Sequence, residues 1–525
     1  MFAMSPKRFP SFLLMLTGAA MAFGAITDPV RVETGLLSGA PGRDAEVRVY
    51  KGIPFAAPPV GSLRWRAPQP AGKWDGIRKA EQFGSSCTQG GGAGRGGKGG
   101  DKGVAGGEDC LYLNIWTAAK SPSDRRPVMV WIHPGGYNSG SGAAPGTDGE
   151  ALAKKGVVLV TINYRLGVFG FFSYPDLTKE SDRRGAGNFA FLDQIAALQW
   201  IQKNIAAFGG DPRRVTVFGD SAGSSSISNL MASPLAKGLF QRASGQSGAW
   251  LGLSVTPMRK LADAEQAGLR TGDSLGAKSL AELRALPADQ LQRGGRGGGP
   301  VIDGYFLPDD PANIFTQGKQ NDVPLIAGSN KDEGTFFLQA VTAEQFMQRS
   351  RQKFGDMADA FLKLYPAGSD EEANVSEFAA FRDELAFVMH NWAAAQAKSG
   401  KSKAYLYYFT HEPPVAGGRV ASPTVTIARE GATHGGEAPY ILGNLLGNRP
   451  WADADHQVAE TMSSYWINFA AAGDPNGKGL PKWPAFEDKK NNGRLVLGDR
   501  AEYRPGLNDA QLAFYQAWYE KQRQR

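Results

Sequence analysis

Five short stretches of the chain, residues 128–132, 157–163, 215–218, 323–327 and 404–409, are almost purely apolar and rich in β-branched or aromatic side chains. A strand with one face in water alternates apolar with polar residues, whereas a strand covered on both faces has no reason to. Such runs predict a mainly parallel central sheet sandwiched between helices. The intervening segments supply those helices. Over 193–208, Ile195, Leu198, Ile201 and Ile205 share one helical face, and 458–472 reads as a late helix. Strands alternating with helices give an α/β fold with right-handed crossovers. The stretch 335–400 is helical in pattern and is expected to supply cap insertions over the sheet.

The run at 215–218 leads directly into Gly219-Asp220-Ser221-Ala222-Gly223, and a helix-compatible stretch follows to Met231. Strand, tight turn and helix are the context in which a Gly-x-Ser-x-Gly elbow presents a nucleophile. The serine occupies a strained turn, so the residues two away on each side must be small. The N–H of Ala222, at the start of the helix, then faces the place where a negative oxygen would form.

A serine hydroxyl needs a base to take its proton, and the base needs an acid to orient it. Five histidines are available, His133, His390, His411, His434 and His456. His434 lies after the predicted strands in a loop-like Thr433-His434-Gly435-Gly436-Glu437, where the chain order serine, acid, histidine puts the base. His133 reads as a structural ring. Asp332 and Glu333 both follow the run at 323–327, where the orienting carboxylate is expected, and residue types alone do not choose between them. Trp131-Ile132-His133-Pro134-Gly135-Gly136-Tyr137 follows another strand, and its paired glycines let backbone N–H groups approach a substrate.

Composition narrows the setting. Fifty-eight Lys+Arg against 51 Asp+Glu, without a run of like charge, is no nucleic-acid footprint. Lys7 and Arg8, a short apolar stretch, and Ala20-Met21-Ala22 together predict a cleaved export signal over 1–22, with Ala25 as a later alternative for cleavage. The stretch is too short for a stable membrane anchor. The mature chain, from about residue 26, is expected to be one domain, periplasmic or secreted. In an oxidising compartment the only two cysteines, Cys87 and Cys110, are best paired. They bracket a segment, 90–107, in which 11 of 18 residues are glycine. Closing such a loop is worth about 3 kcal/mol in the chain-entropy account. No further ligands stand at zinc-like spacing, so no metal is expected.

These blocks occur in order with others: Tyr50-Lys51-Gly52-Ile53-Pro54-Phe55-Ala56, Glu108-Asp109-Cys110-Leu111-Tyr112-Leu113-Asn114, Asn163-Tyr164-Arg165-Leu166-Gly167, Phe208-Gly209-Gly210-Asp211-Pro212 and Gly473-Asp474-Pro475-Asn476. From about Val32 to Trp518 the sequence resembles the type-B carboxylesterases, α/β-hydrolases that include cholinesterases and the neuroligin adhesion proteins. The resemblance implies an α/β-hydrolase fold and hydrolysis of small carboxylic esters through an acyl-enzyme, without a cofactor. It selects Glu333 over Asp332 as the acid beside Ser221 and His434, and assigns the oxyanion donors to the N–H groups of Gly135, Gly136 and Ala222. It implies the Cys87–Cys110 disulfide and two ion pairs, Arg64 with Glu108 and Arg165 with Asp193. Neuroligin-like members, which bind without catalysis, lose triad residues that are present in this chain. An amidase or peptidase using the same triad is the other alternative.

Departures from the family pattern carry their own expectations. Pro134 stands where a further glycine is usual, and proline has no N–H, but the two donors that matter come after it. The disulfide loop lacks the tryptophan with which cholinesterases face a quaternary ammonium, which disfavours choline esters. The glycine-rich run Arg293 to Pro300 precedes Val301-Ile302-Asp303-Gly304 and places Arg293, Gly294 and Arg296 where an acyl pocket is expected. Arginines there would favour acyl groups carrying a carboxylate. With an unperturbed histidine pKa of about 6.5, hydrolysis is expected to fall away below about pH 6–7.

Overall fold

The apolar runs pair into a single sheet. A computed structural model describes residues 26–89, 106–181, 186–255, 258–295, 297–414, 431–445, 447, 449–487 and 492–524. The expected leader and residues 90–105 of the glycine-rich loop lie outside the described residues. The sheet has eleven strands. In chain order these are β1 (Ala40–Pro41), β2 (Arg48–Pro54), β3 (Tyr112–Thr117), β4 (Arg126–Ile132), β5 (Val158–Ile162), β6 (Gly210–Asp220), β7 (Arg242–Gln246), β8 (Leu325–Asn330), β9 (Ala404–Phe409), β10 (Arg494–Leu497) and β11 (Ala501–Arg504).

Their spatial order is β11-β10-β9-β8-β7-β6-β4-β5-β3-β2-β1. From β10 through to β5 every neighbouring pair is parallel. Both margins are antiparallel, β11 on β10 at one end and β5-β3-β2-β1 at the other. Alternate side chains of one strand enter opposite cores. On β4, Val128, Val130 and Ile132 join the larger cluster, while Met129 and Trp131 join the smaller one. Both faces are dry, which is why the sequence of β4 does not alternate.

Helices cover both faces. On the first lie α1 (Phe189–Asn204) and α2 (Ala222–Ala232), the latter burying Ile227, Leu230 and Met231. Between α2 and β8 stands α3 (Leu261–Ser274). Residues 335–400 hold α4 (Ala343–Phe354), α5 (Ala358–Leu364) and α6 (Asp370–Ser399). The 30 residues of α6, about 45 Å of helix, bury Leu385, Val388, Met389 and Trp392 against β8 and β9. It therefore belongs to the sheet's own cover, and α4 and α5 pack outside it. The opposite face is covered by α7 (Asp453–Ala472) through Val458, Met462, Trp466 and Phe469, and α8 (Asp509–Arg523) closes the chain against α5 and α6. Among the described residues no helix is long and apolar enough to cross a membrane.

Cys87 and Cys110 are joined by a disulfide, S–S 2.03 Å. Both expected ion pairs are present. Arg64 Nε donates to Glu108 at 2.7 Å. Arg165 makes a two-pronged contact with Asp193 on α1, at 2.8 and 2.7 Å, and the pair is 3% and 0% exposed. The backbone N–H of Arg165 also donates to Asp193, fixing the chain just after β5 to the start of α1. Removing one partner of so enclosed a pair strands a charge in the interior. Asp193→Ala should therefore lower unfolding stability by about 3–5 kcal/mol. Lys179→Ala, which breaks the exposed contact with Asp176, should leave the urea midpoint unchanged; comparable midpoint shifts in the two variants would contradict this ranking.

Candidate active site

The chain doubles back at the end of β6. Ser221 has φ 56° and ψ −118°, a positive-φ conformation that side-chain-bearing residues avoid. Its N–H donates to Gln246 O at 2.7 Å at the end of β7, and its carbonyl already accepts from Ser225 of α2. A Cβ on Gly223 would stand 2.0 Å from Ile132 O, and one on Gly219 2.4 Å from the same oxygen. Both elbow glycines are needed because the turn is pressed on the end of β4. Ala222 opens α2, so its N–H has no acceptor within the helix.

The loop after β4 runs beside that turn. Gly135 and Gly136 have φ 115° and 59°. A Cβ on Gly136 would meet nothing within 4 Å. Among the described residues neither glycine N–H has a hydrogen-bond acceptor. Tyr137, at φ 61°, packs its ring on Phe171 and Phe191 and anchors the loop through its carbonyl, which accepts from Gly167 N at 2.6 Å. His133 is a structural ring. It is buried, stacked on Tyr164 with centroids 4.2 Å apart, and burial pulls its pKa down to about 4.

Glu333 and His434 meet on the adjoining strand ends. Glu333 follows β8 and is fully buried. Its Oε1 accepts from Ser247 Oγ at 2.5 Å and from Asn330 N at 2.8 Å. Its Oε2 lies 2.6 Å from His434 Nδ1. A carboxylate holding Nδ1–H leaves Nε2 as the acceptor nitrogen. That Nε2 is buried and has no partner among the described residues. Asp332 faces elsewhere: its carboxylate accepts from Ala432 N at 2.9 Å and lies 4.0 Å from Lys331. Its backbone N–H donates to Ala432 O, so Asp332 pins the loop that carries His434.

Two carboxylates that the sequence did not single out crowd the same imidazole. Asp220 lies beside the loop, its Oδ2 3.0 Å from where a Gly435 Cβ would be. Glu437 accepts from Asn330 Nδ2 and from Tyr407 OH. Burial pushes Asp220 up to about 6, against the pull of His434, and pushes Glu437 up to about 8 with help from the Asp220 and Glu333 charges. Burial opposes charge on His434, but the charges of Glu333 and Asp220 outweigh it and raise that pKa to about 9. The signal was present in the motif, since Glu437 stands three residues after His434. Also unforeseen are Phe336 and Phe337, 54% and 38% exposed, with the Phe337 ring 4.8 Å from the imidazole. They form an apolar lip at the site.

Two of the three residues expected at an acyl pocket are described. Arg293 ends a short helix, Ala288–Arg293, with its side chain in solvent and paired with Asp289 at 2.9 Å. A Cβ on Gly294 would press on Leu275. Arg296 lies outside the described residues. Among those residues, no group of three or more His, Cys, Asp or Glu side chains is arranged to hold a metal ion.

Known proteins share this architecture along its length. The family described as the carboxylesterase family matches residues 27–515. The fumonisin B1 esterase of Sphingopyxis macrogoltabida is 36% identical over 498 residues, covering 91% of this chain and 88% of that protein. Carboxylesterase 1C of Rattus norvegicus is 33% identical, with 89% of this chain and 88% of that protein covered. The solved structure of a PNB esterase superposes with a TM-score of 0.77 at 30% identity, over 93% of this chain and 99% of its own.

The raised His434 pKa replaces the value expected from an isolated histidine. An imidazole must be neutral to accept a proton, so any activity that depends on it should rise with pH along a limb above pH 7. Asp220→Asn removes one of the charges that hold the imidazolium and should move the limb toward lower pH. A kcat/KM profile measured from pH 5 to 10 decides this: a limb near 6.5, unmoved by Asp220→Asn, would contradict the dominance of these carboxylates over burial.

Proposed function

The chain belongs to the carboxylesterase family and is a carboxylic ester hydrolase of the α/β-hydrolase fold, and from that premise we propose that Ser221, His434 and Glu333 carry the reaction. The observation that supports this most is the Glu333–His434 contact at 2.6 Å, which leaves a buried, unengaged Nε2. In this reading Nε2 takes the proton of Ser221 as Oγ attacks the ester carbonyl. Glu333 holds the ring in register and stabilises the imidazolium. The tetrahedral oxyanion is received by the N–H groups of Gly135, Gly136 and Ala222, all three without a competing acceptor in the loop or helix. The alcohol leaves with the proton from His434. Water, deprotonated in turn by His434, then releases the acid and restores Ser221.

Export belongs to the same proposal. A leader of export type over 1–22 and a disulfide between the only two cysteines both suit a periplasmic or secreted enzyme of one domain. The apolar lip of Phe336 and Phe337 suits a substrate with a hydrophobic portion near His434.

Ser221→Ala should reduce kcat for a p-nitrophenyl ester by roughly 10⁴- to 10⁶-fold with an unchanged circular-dichroism spectrum. Glu333→Gln should cost far more than Asp332→Asn. Equal losses in those two would reject Glu333 as the acid. Matched p-nitroanilides should be cleaved far more slowly than the esters; comparable rates would place the enzyme among amidases.

A further inference from the structure

The loop that carries Gly135 and Gly136 is tied at its far end to both half-cystines. Gln89 stands two residues after Cys87, and its side-chain amide meets Gly140 twice. Gly140 N donates to Gln89 Oε1 at 3.0 Å, and Gln89 Nε2 donates to Gly140 O at 3.1 Å. The same Nε2 also donates to Cys87 O at 3.1 Å. Asn163, just after β5, repeats the pattern with the other cysteine. Its Nδ2 donates to Cys110 O at 3.0 Å, and its Oδ1 accepts from Gly142 N at 2.8 Å. With the Cys87–Cys110 bond, the two amides close one ring around the end of the loop. The stem from which Gln89 projects is itself fixed, because Thr88 N donates to Gly107 O at 3.0 Å and Gly107 N to Ser86 O at 2.8 Å.

Gly140 lies against the peptide units that aim the two glycine donors. In a planar trans peptide the N–H points away from the C=O before it, so holding a carbonyl aims the next N–H. The Gly135 N–H follows the carbonyl of Pro134, which lies 2.8 Å from His133 Nδ1. A Cβ on Gly140 would stand 2.6 Å from that same Pro134 O. The Gly136 N–H follows the carbonyl of Gly135, which accepts from Asn138 N at 3.0 Å and Ser139 N at 3.1 Å. Ser139 is bonded to Gly140, and a Cβ on Gly135 would stand 2.0 Å from Ser139 O. The segment 138–140 therefore sets the direction of both donors, and Gln89 grips its last residue on both sides.

Glycines at 135, 136, 140 and 142 leave this loop with more backbone freedom than any other residues would, and an oxyanion hole works only when its donors are aimed in advance. We propose that Gln89 is a positioning residue for the oxyanion hole: by clamping Gly140 to Cys87 it makes the disulfide-closed segment part of the catalytic scaffold. The proposal rests on the Gly135 and Gly136 N–H groups being the donors and adds the element that aims them.

The test uses Gln89→Met, which keeps the length of the side chain and removes all three hydrogen bonds. Turnover of p-nitrophenyl butyrate is measured beside inhibition by an alkyl trifluoromethyl ketone. Ser221 Oγ adds to the ketone carbon, its proton passes to His434, and the former carbonyl oxygen takes the negative charge in the hole. In the variant kcat should fall roughly 10- to 100-fold with KM nearly unchanged, and the ketone should bind weaker by the same factor. The pH limb should stay where it is in the wild type, because His434 and its carboxylates are untouched. Thiol titration and the melting temperature report that the disulfide and the fold are intact. Asn163→Ala, which cuts the second link, carries the same expectation for the ketone. Wild-type ketone affinity and kcat in Gln89→Met overturn the proposal, as does a lower melting temperature with unchanged kcat or a rise confined to KM. A wild type that the ketone fails to inhibit would overturn the oxyanion hole itself, and the role of Gln89 with it.

Discussion

The carbonyl of Ile132, at the end of β4, is the point against which the site is built. It lies so close to the elbow that neither Gly219 nor Gly223 has room for a methyl group. This contact holds three things together: the positive-φ turn at Ser221, the first N–H of α2, and the loop that begins at His133. Ile132 pairs in register with Gly219 across the parallel β4–β6 ladder. A donor array assembled from two separate segments is therefore fixed by backbone packing, with no side chain that has to be ordered on binding. Tyr137 completes the brace by packing on Phe171 and Phe191.

The second constraint is charge. Asp220, Glu333 and Glu437 surround one imidazole in an interior that offers little water. Three buried carboxylates cannot all ionise beside a single cation. Glu333 makes the shortest contact with the ring and accepts from two further donors, while burial pushes Asp220 up to about 6 and Glu437 up to about 8, so that at neutral pH Asp220 still carries charge beside the imidazole and Glu437 is mostly protonated. The same arrangement links the site to stability. His434 has a folded-state pKa of about 9 against about 6.5 for a free histidine, so its stabilising contribution is present below pH 6.5 and lost as pH rises toward 9.

Much of this was legible in the sequence, for identifiable reasons. Five central strands announce themselves because both faces are buried, and the elbow because its glycines are sterically required, but β7, whose sequence is Arg-Ala-Ser-Gly-Gln, lies between β6 and β8 without an apolar run to mark it. The margins were not legible: β1, β10 and β11 are two to four residues long and partly exposed, with no run to detect. The helix expected from 193 starts earlier, at Phe189, where tertiary bonds from Asn188 to Val301 set its origin, and its last turn, Ile205–Phe208, tightens to a 3₁₀ form. Glu333 could not be told from Asp332 by residue type. The distinction is positional, since one carboxylate turns to the histidine and its neighbour is used up on the Ala432 N–H.

Whether Ser221 becomes acylated with His434 as its base is decided by covalent trapping. The protein would be treated with a fluorophosphonate, digested, and mapped by mass spectrometry, with residual esterase activity followed in parallel. One adduct per chain is expected, on Ser221, formed at the rate at which activity is lost, and slowed sharply in a His434→Ala variant. An adduct on another residue with the same kinetics, or full labelling of Ser221 with activity intact, would refute Ser221 as the nucleophile.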